Sequence, residues 1–271
     1  MELQHLVIFI SVLSLALGGE SHASVVPEEE YWEAVWPNTP IPNSLRDFVK
    51  HVPQGNEIDD LPMEIDDTQY PMTFFYEHEL YPGNTMNVQF RKNPFAQPYG
   101  FLFYMGDNKK ERYTFNDVCV KSEPIKGEQK FCAKSLKSLI GFTISKLGNN
   151  IQPLSSSFIS KHQQYKIESM INLGEKAVMC HRLNFQKVVF YCHEVHGTTT
   201  FMVPLVANDG TKTQALVVCH TNTSGMDHEM LLQVMRGDPG NKPVCHFLGN
   251  KAIMWVPNLV VDSDYSANHV V

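Results

Sequence analysis

The sequence has no cluster of basic residues and no apolar stretch long enough to span a bilayer. Its 22 lysines and arginines are outnumbered by 29 aspartates and glutamates, which gives a formal net charge of −7. Nucleic-acid binding needs a concentrated basic surface for the phosphates, so this class of function is excluded. The apolar run from Leu6 to Leu17 is shorter than the roughly 20 residues of a membrane-spanning helix. We therefore expect neither a nucleic-acid partner nor a membrane partner.

The first 23 residues are typical of a secretory signal peptide. The apolar run is followed by small residues, and Ser21-His22-Ala23 predicts cleavage before Ser24. Asn222-Thr223-Ser224 is a glycosylation sequon and agrees with that route. The six cysteines are then expected to meet an oxidising compartment and to form disulfides.

The remaining chain divides by composition into two parts. Residues 24–73 are acidic and proline-rich, with one short helix predicted from Asn43 to Val52. Residues 74–271 alternate apolar runs with turn signals, which predicts a mostly β domain with a few packed helices, an α+β fold. A helix is predicted from Ser135 to Leu147. The predicted strands are Met86–Phe90, Gly100–Met105, Lys187–Cys192, Thr200–Val206, Thr213–His220, Lys242–Phe247 and Lys251–Val256.

One pattern carries chemical information: a cysteine is followed directly by a histidine four times. The pairs are Cys180-His181, Cys192-His193, Cys219-His220 and Cys245-His246. Successive side chains of a strand point to opposite faces, so each pair would send its sulfur one way and its imidazole the other. Disulfides on one side could then hold four histidines towards a metal on the other. Imidazole suits copper, zinc, nickel or iron as a ligand.

The same residues allow a plainer interpretation, in which these four cysteines form two disulfides and the histidines only make hydrogen bonds. Cys119 and Cys132 enclose a polar loop and predict a third, stabilising disulfide. Glu194 is a candidate for orienting the His193 ring. His196, three residues beyond His193, would lie on the opposite strand face and is disfavoured as a ligand.

The spacing of the four pairs resembles the signature of the plant BURP domain. The intervals are ten, twenty-five and twenty-four residues, and Trp255 follows the last pair after eight more. The resemblance runs from Phe74-Phe75 to Trp255-Val256-Pro257, and the chain is similar to the unknown-seed-protein branch of that family. It implies a BURP-domain fold whose four histidines bind two type II copper ions. It also implies a final location outside the cell, in the cell wall or in the vacuole.

Some BURP proteins are autocatalytic cyclases that use copper and dioxygen to crosslink a core peptide carried in their own chain. The segment Gln97-Pro98-Tyr99-Gly100-Phe101-Leu102-Phe103-Tyr104 resembles the lyciumin-type core. Taken by its residues alone, this segment is a turn at Pro98 to Gly100 that leads into an aromatic strand. The preferred crosslink joins Gly100 to Tyr104, since a radical at the glycine α carbon is shared between the flanking amides. Lyciumin-type cores end in tryptophan, so a phenol C–O bond or a ring-carbon bond would replace their C–N bond here. A Leu102 to Tyr104 crosslink, similar to that of cyclopeptide alkaloids, is the alternative.

The leading hypothesis is a secreted, copper- and dioxygen-dependent cyclase that crosslinks its own Gln97 to Tyr104 segment. Its catalytic residues would be His181, His193, His220 and His246, and separate proteases would release the product. The alternative is a non-enzymatic seed or cell-wall protein in which disulfides and metal only stabilise the fold. A third hypothesis is a copper protein that acts on an external substrate and leaves residues 97–104 unmodified.

Overall fold

The structure is a computed structural model that describes residues 28–50, 70–71, 74–88, 90–91, 114–124, 126–158, 164–184, 188–223, 231–232, 235 and 242–258. The predicted signal peptide (1–23), the predicted core peptide (97–104) and the predicted strand over 100–105 lie outside the described residues. Within them the chain is mostly β with a few helices, as predicted from its alternating apolar pattern.

The described chain contains fourteen β-strands and three α-helices. The strands are β1 (Tyr70–Pro71), β2 (Phe74–Tyr76), β3 (Thr85–Asn87), β4 (Phe90–Arg91), β5 (Glu128–Ala133), β6 (Ile151–Leu154), β7 (Gln164–Ile167), β8 (Ile171–Gly174), β9 (Val178–Asn184), β10 (Val188–Val195), β11 (Thr198–Ala207), β12 (Lys212–His220), β13 (Val244–Phe247) and β14 (Ala252–Pro257). The helices are α1 (Glu28–Val35), α2 (Asn43–Lys50) and α3 (Leu136–Leu147). The chain also forms a 3-10 turn (Glu77–Glu79) and a π-helical segment (Asn116–Lys121), and Leu231, Leu232 and Met235 are helical.

Two antiparallel sheets carry the fold. The five-stranded sheet has the order β5-β10-β9-β14-β6, and the seven-stranded sheet has the order β2-β13-β12-β11-β7-β3, with β8 also paired to β11. A separate small sheet pairs β1 with β4. Strands β1, β2 and β5 to β9 were not predicted individually from the sequence, and the single predicted strand Met86–Phe90 corresponds to β3 and the start of β4.

The three helices cover one face of the five-stranded sheet. Helix α3 is predicted correctly, and Ser135 caps its start by accepting a hydrogen bond from the Ser138 backbone amide. Helix α2 begins at Asn43, where a helix is expected, whereas α1 was not predicted as a helix. All three tryptophans of the chain meet here: the ring of Trp36 on the helical side lies 4.8 Å from that of Trp32 and 5.2 Å from that of Trp255 on β14.

The opposite face of the five-stranded sheet packs against the seven-stranded sheet. Met179 and Met254 from the first sheet share a buried cluster with Leu216 and Val218 from the second. Because side chains alternate along a strand, the neighbours of these residues point away from this layer. Alternate residues of each strand therefore face either the inter-sheet layer or the outer face of their own sheet.

Candidate metal centre

Each Cys-His pair belongs to a matched pair on the neighbouring strand. Cys180 on β9 lies directly opposite Cys192 on β10, and Cys219 on β12 lies directly opposite Cys245 on β13. Both pairs form disulfides, and Cys119 and Cys132 form the third. The predicted disulfides are thus confirmed, including the pairing of Cys119 with Cys132, and the pairing of the other four is now assigned.

The disulfide sulfurs point away from the inter-sheet layer. Cys180 and Cys192 pack in the cluster beneath the helices, and Cys219 and Cys245 pack in the cluster on the far side of the seven-stranded sheet. Alternation along each strand consequently turns the adjacent histidine to the inner face. Each of these two disulfides therefore lies on the outer face of its sheet, and the histidines that follow its cysteines in sequence lie on the inner face.

Within each sheet the two inner histidines meet on a diagonal. His181 lies opposite Tyr191 and His193 opposite Met179, so the two rings come together beside the disulfide rather than across it. Their Nε2 atoms are 3.1 Å apart. His220 and His246 are likewise placed diagonally across β12 and β13, and their Nε2 atoms are 3.4 Å apart. The four predicted ligands therefore form two pairs, one from each sheet.

Three of the four histidines are buried, and the two pairs lie within electrostatic reach of one another. His181, His220 and His246 are 3%, 6% and 7% exposed. Burial is the main cause that depresses their pKa values, well below the usual range for His181 and His220 and to about 4 for His246. Electrostatic interaction with His193 and His246 lowers the pKa values of His181 and His220 further. For His246, the hydrogen bond to the Phe247 carbonyl raises the pKa and the interaction with His193 lowers it. These imidazoles are consequently neutral at pH 7, the state in which a histidine binds a metal.

The hydrogen bonds at the Nδ1 atoms define the tautomers. His246 Nδ1 lies 3.3 Å from the Phe247 carbonyl oxygen, and His193 Nδ1 lies 2.7 Å from Oε1 of Glu128. A carbonyl and a carboxylate only accept, so both Nδ1 atoms donate, and the neutral His246 ring carries its lone pair on Nε2. His220 Nε2 then donates to His246, and its Nδ1 accepts from the Thr198 hydroxyl at 3.3 Å. One proton therefore lies between the rings of His220 and His246.

The Nε2 separations are compatible with two imidazoles on one ion. Two nitrogens bound at about 2.0 Å lie about 2.8 Å apart at a right angle and about 3.3 Å apart at the tetrahedral angle. In the part of the chain that the structure describes, no group of three or more histidine, cysteine, aspartate or glutamate side chains is arranged to hold a metal. Each pair accordingly offers two side-chain ligands.

The carboxylate that contacts His193 is Glu128, so the sequence-based choice of Glu194 is wrong. Glu194 follows His193 on β10 and points to the opposite face by strand alternation. Glu128 lies on β5, sixty-five residues from His193 in sequence. It also accepts a hydrogen bond from the Tyr191 hydroxyl at 2.8 Å. No local sequence signal indicates this contact, because it depends on the register of β5 against β10. His196 is exposed in the turn after β10, away from the pairs.

Comparison with known proteins shows the family of this chain. A family model described as the BURP domain matches residues 102–257. The chain belongs to the BURP-domain family. It is 42% identical to embryonic abundant protein USP92 of Vicia faba and 41% identical to unknown seed protein USP of Vicia faba, with 97% of this chain and 98% of each relative aligned. It is 32% identical to BURP domain protein RD22 of Arabidopsis thaliana across 67% of this chain and 55% of that protein.

The predicted resemblance to the unknown-seed-protein branch is thus confirmed. The three disulfides of this BURP protein indicate an oxidising environment such as the secretory pathway. None of the described helices has the length and apolarity needed to cross a membrane. The sequon residue Asn222 is exposed just after β12, where a glycan can be accommodated.

The metal-free BURP domain is expected to lose stability as the pH falls below about 6.5. His181, His220 and His246 stay neutral in the folded chain, but each takes up a proton near pH 6.5 once unfolded. The unfolded state then binds more protons, so the free energy of unfolding falls by about 1.4 kcal/mol per pH unit for each such histidine. Urea unfolding in EDTA at pH values from 8 to 5 measures this slope. A flat profile would contradict the burial of neutral imidazoles.

Proposed function

We propose that this protein is a copper-dependent autocatalytic cyclase that crosslinks its own Gln97 to Tyr104 segment with dioxygen as the oxidant. The observation that carries the proposal is the two imidazole pairs between the sheets, whose Nε2 atoms are 3.1 and 3.4 Å apart. A fold that needed only stability would fill this layer with apolar side chains, because buried polar groups stabilise little.

The two histidine pairs are the proposed copper ligands. His181 and His193 would hold one ion, and His220 and His246 the other. Copper, when bound, supplies the one-electron and dioxygen chemistry that no amino-acid side chain provides. The protein's own residues fix the rings: the disulfides hold the strands behind them, and Glu128, Thr198 and the Phe247 carbonyl hold their Nδ1 atoms.

The described chain that follows the core segment is anchored beside one pair. Phe115 and Val118 pack with Tyr191, whose ring lies 5.3 Å from that of His193. The disulfide from Cys119 to β5 fastens this stretch. Thr114 is ten residues beyond Tyr104, a distance of at most about 35 Å for an extended chain, so Tyr104 is within reach of the pair. Tethering of this kind replaces a bimolecular encounter by an intramolecular one.

The proposed reaction forms one bond and removes two hydrogens. In the preferred product a Gly100 α C–H bond and the Tyr104 O–H bond break, and a C–O bond forms between the two residues. The two electrons and two protons pass to dioxygen, which leaves as hydrogen peroxide. A ring-carbon bond at Tyr104, or closure onto Leu102, has the same balance. Separate proteases would release the cyclic peptide, in the secretory pathway, the cell wall, the vacuole or outside the cell.

The test is a mass measurement on the purified full-length chain loaded with Cu(II). In air, the proteolytic peptide that contains residues 97–104 should lose about 2 Da, the mass of two hydrogens. The same chain under anoxia, or in air with EDTA, should keep its mass. Fragmentation then assigns the partner of Tyr104 as Gly100 or Leu102.

The variant Tyr104→Phe provides the matched control for the substrate. It removes only the phenol oxygen, so a C–O crosslink at this position is no longer formed, while the copper site is unchanged. Retention of full mass by the wild-type peptide in air, with two copper ions demonstrably bound, would contradict the cyclase proposal.

A non-enzymatic structural role is the second candidate, and one observation favours it. The relatives that align over almost their whole length are named as embryonic abundant or unknown seed proteins. Under this alternative, metal raises stability and the 97–104 peptide keeps its mass. Turnover of an added small phenol with an unmodified core would instead indicate action on an external substrate.

A further inference from the structure

The two histidine pairs differ in the groups that contact their Nδ1 atoms. His193 donates to the Glu128 carboxylate at 2.7 Å. In the other pair, His220 contacts the Thr198 hydroxyl and His246 contacts the Phe247 carbonyl, both at 3.3 Å. One pair is thus supported by a full negative charge at short range, and the other by neutral oxygens at longer range.

The Glu128 carboxylate is built into the fold. Its side chain is 5% exposed, and it accepts from the buried Tyr191 hydroxyl as well as from His193. A buried carboxylate destabilises the folded protein unless nearby donors and positive charge compensate it. The Lys130 ammonium is within electrostatic reach, and a cation on the His181–His193 pair would add positive charge on the other side of the ring.

A carboxylate hydrogen-bonded to Nδ1 changes the ring in two ways that matter for metal binding. It fixes the tautomer with Nε2 free to bind, and it makes that nitrogen a stronger electron donor. Partners of this type alter metal affinity by about 10- to 100-fold. Neutral oxygens at 3.3 Å fix the ring but donate less electron density.

We infer that Glu128 is a positioning residue that makes the His181–His193 pair the tighter of two unequal Cu(II) sites. The inference rests on the proposed function, because that proposal assigns copper to the histidines. The inference goes beyond the proposed function because it ranks the two sites by their affinity for copper and names the side chain responsible for the difference.

The experiment is a Cu(II) titration of the full-length chain against a competing chelator. Wild type should bind in two resolved steps. Glu128→Gln should weaken the tighter step by about 10- to 100-fold and leave the weaker step unchanged. Glu194→Gln is the matched control, since it removes the same charge one residue after His193 but on the opposite face of β10. It should leave both steps unchanged.

Two further measurements separate positioning from a folding defect. Glu128→Asp keeps the negative charge but moves the carboxylate away from His193 by the length of one methylene group. This variant should also weaken the tighter Cu(II)-binding step. In the metal-free protein, ¹⁵N spectra of the histidine rings should show His193 protonated at Nδ1 in wild type. In Glu128→Gln, whose neutral amide oxygen is a weaker acceptor than a carboxylate, this preference should weaken while the His246 signal is unchanged.

The outcomes distinguish this inference from the proposed function. Equal weakening of both steps, or no weakening in either Glu128 variant, would overturn the inference alone. A wild-type chain that binds no copper would overturn both. Unequal sites that respond to Glu128, together with an unmodified 97–104 peptide in air, would support the inference and contradict the cyclase.

Discussion

Replacing His220 with alanine is expected to abolish the loss of two hydrogens from the 97–104 peptide and to remove one of the two copper-binding steps. His220 provides one of only two side-chain nitrogens in its pair, 3.4 Å from His246 Nε2. Without it, His246 retains a single imidazole that has little affinity for Cu(II). The readouts are the peptide mass in air and the copper stoichiometry of the purified chain.

His196→Ala is the control for this substitution. His196 is also a histidine close to a Cys-His pair in sequence, but it is exposed in the turn between β10 and β11. The variant should crosslink and bind copper as wild type does. Urea unfolding of both variants checks that His220→Ala remains folded, and His246→Ala should reproduce its loss of crosslinking. Full crosslinking in His220→Ala would show that the pair has no catalytic role.

Trp255→Ala is expected to lower the free energy of unfolding by about 3–5 kcal/mol. Trp255 on β14 is completely buried, and its ring contacts Trp32 and Trp36, with centroids 6.2 and 5.2 Å away. Truncation would leave a cavity between the five-stranded sheet and α1. Denaturant unfolding at pH 7 with matched copper content measures the change.

Trp255→Phe should lose much less stability than Trp255→Ala. Among the described residues, the indole Nε1 of Trp255 is the one buried side-chain polar atom with no hydrogen-bond partner. An unsatisfied buried donor is unfavourable by about 1–3 kcal/mol, so phenylalanine removes this penalty while it keeps most of the ring. Equal destabilisation by phenylalanine and alanine would mean that packing against Trp32 and Trp36 is specific to the indole shape.

The sequence predicted those parts of the centre that depend on local periodicity. A Cys-His dipeptide in a strand has to present its two side chains to opposite faces, and the structure has this arrangement in both sheets. The pairing of Cys180 with Cys192 and of Cys219 with Cys245 was left open, because strand register is set by tertiary packing and not by the dipeptides themselves.

The contacts of the histidines with other elements could not be predicted. Glu128 reaches His193 only because β5 pairs with β10, and the sequence of β5, Glu-Gln-Lys-Phe-Cys-Ala, has no clear alternation of apolar and polar residues. Thr198 reaches His220 because the two residues lie opposite each other on β11 and β12. Helix α1 was missed since its strongest stabilisation comes from the burial of Trp32 against β14 rather than from its own acidic sequence.

The back-to-back arrangement of sulfur and imidazole sets an order for maturation. A chain that still carries four reduced thiols would offer soft thiolate ligands, which capture Cu(I) in preference to imidazole. Once Cys180 has joined Cys192 and Cys219 has joined Cys245, those sulfurs are enclosed in apolar clusters on the far sides of the two sheets. If copper binds as proposed, sulfur oxidation would have to precede the ion, so that the ion meets imidazoles and no competing thiolates.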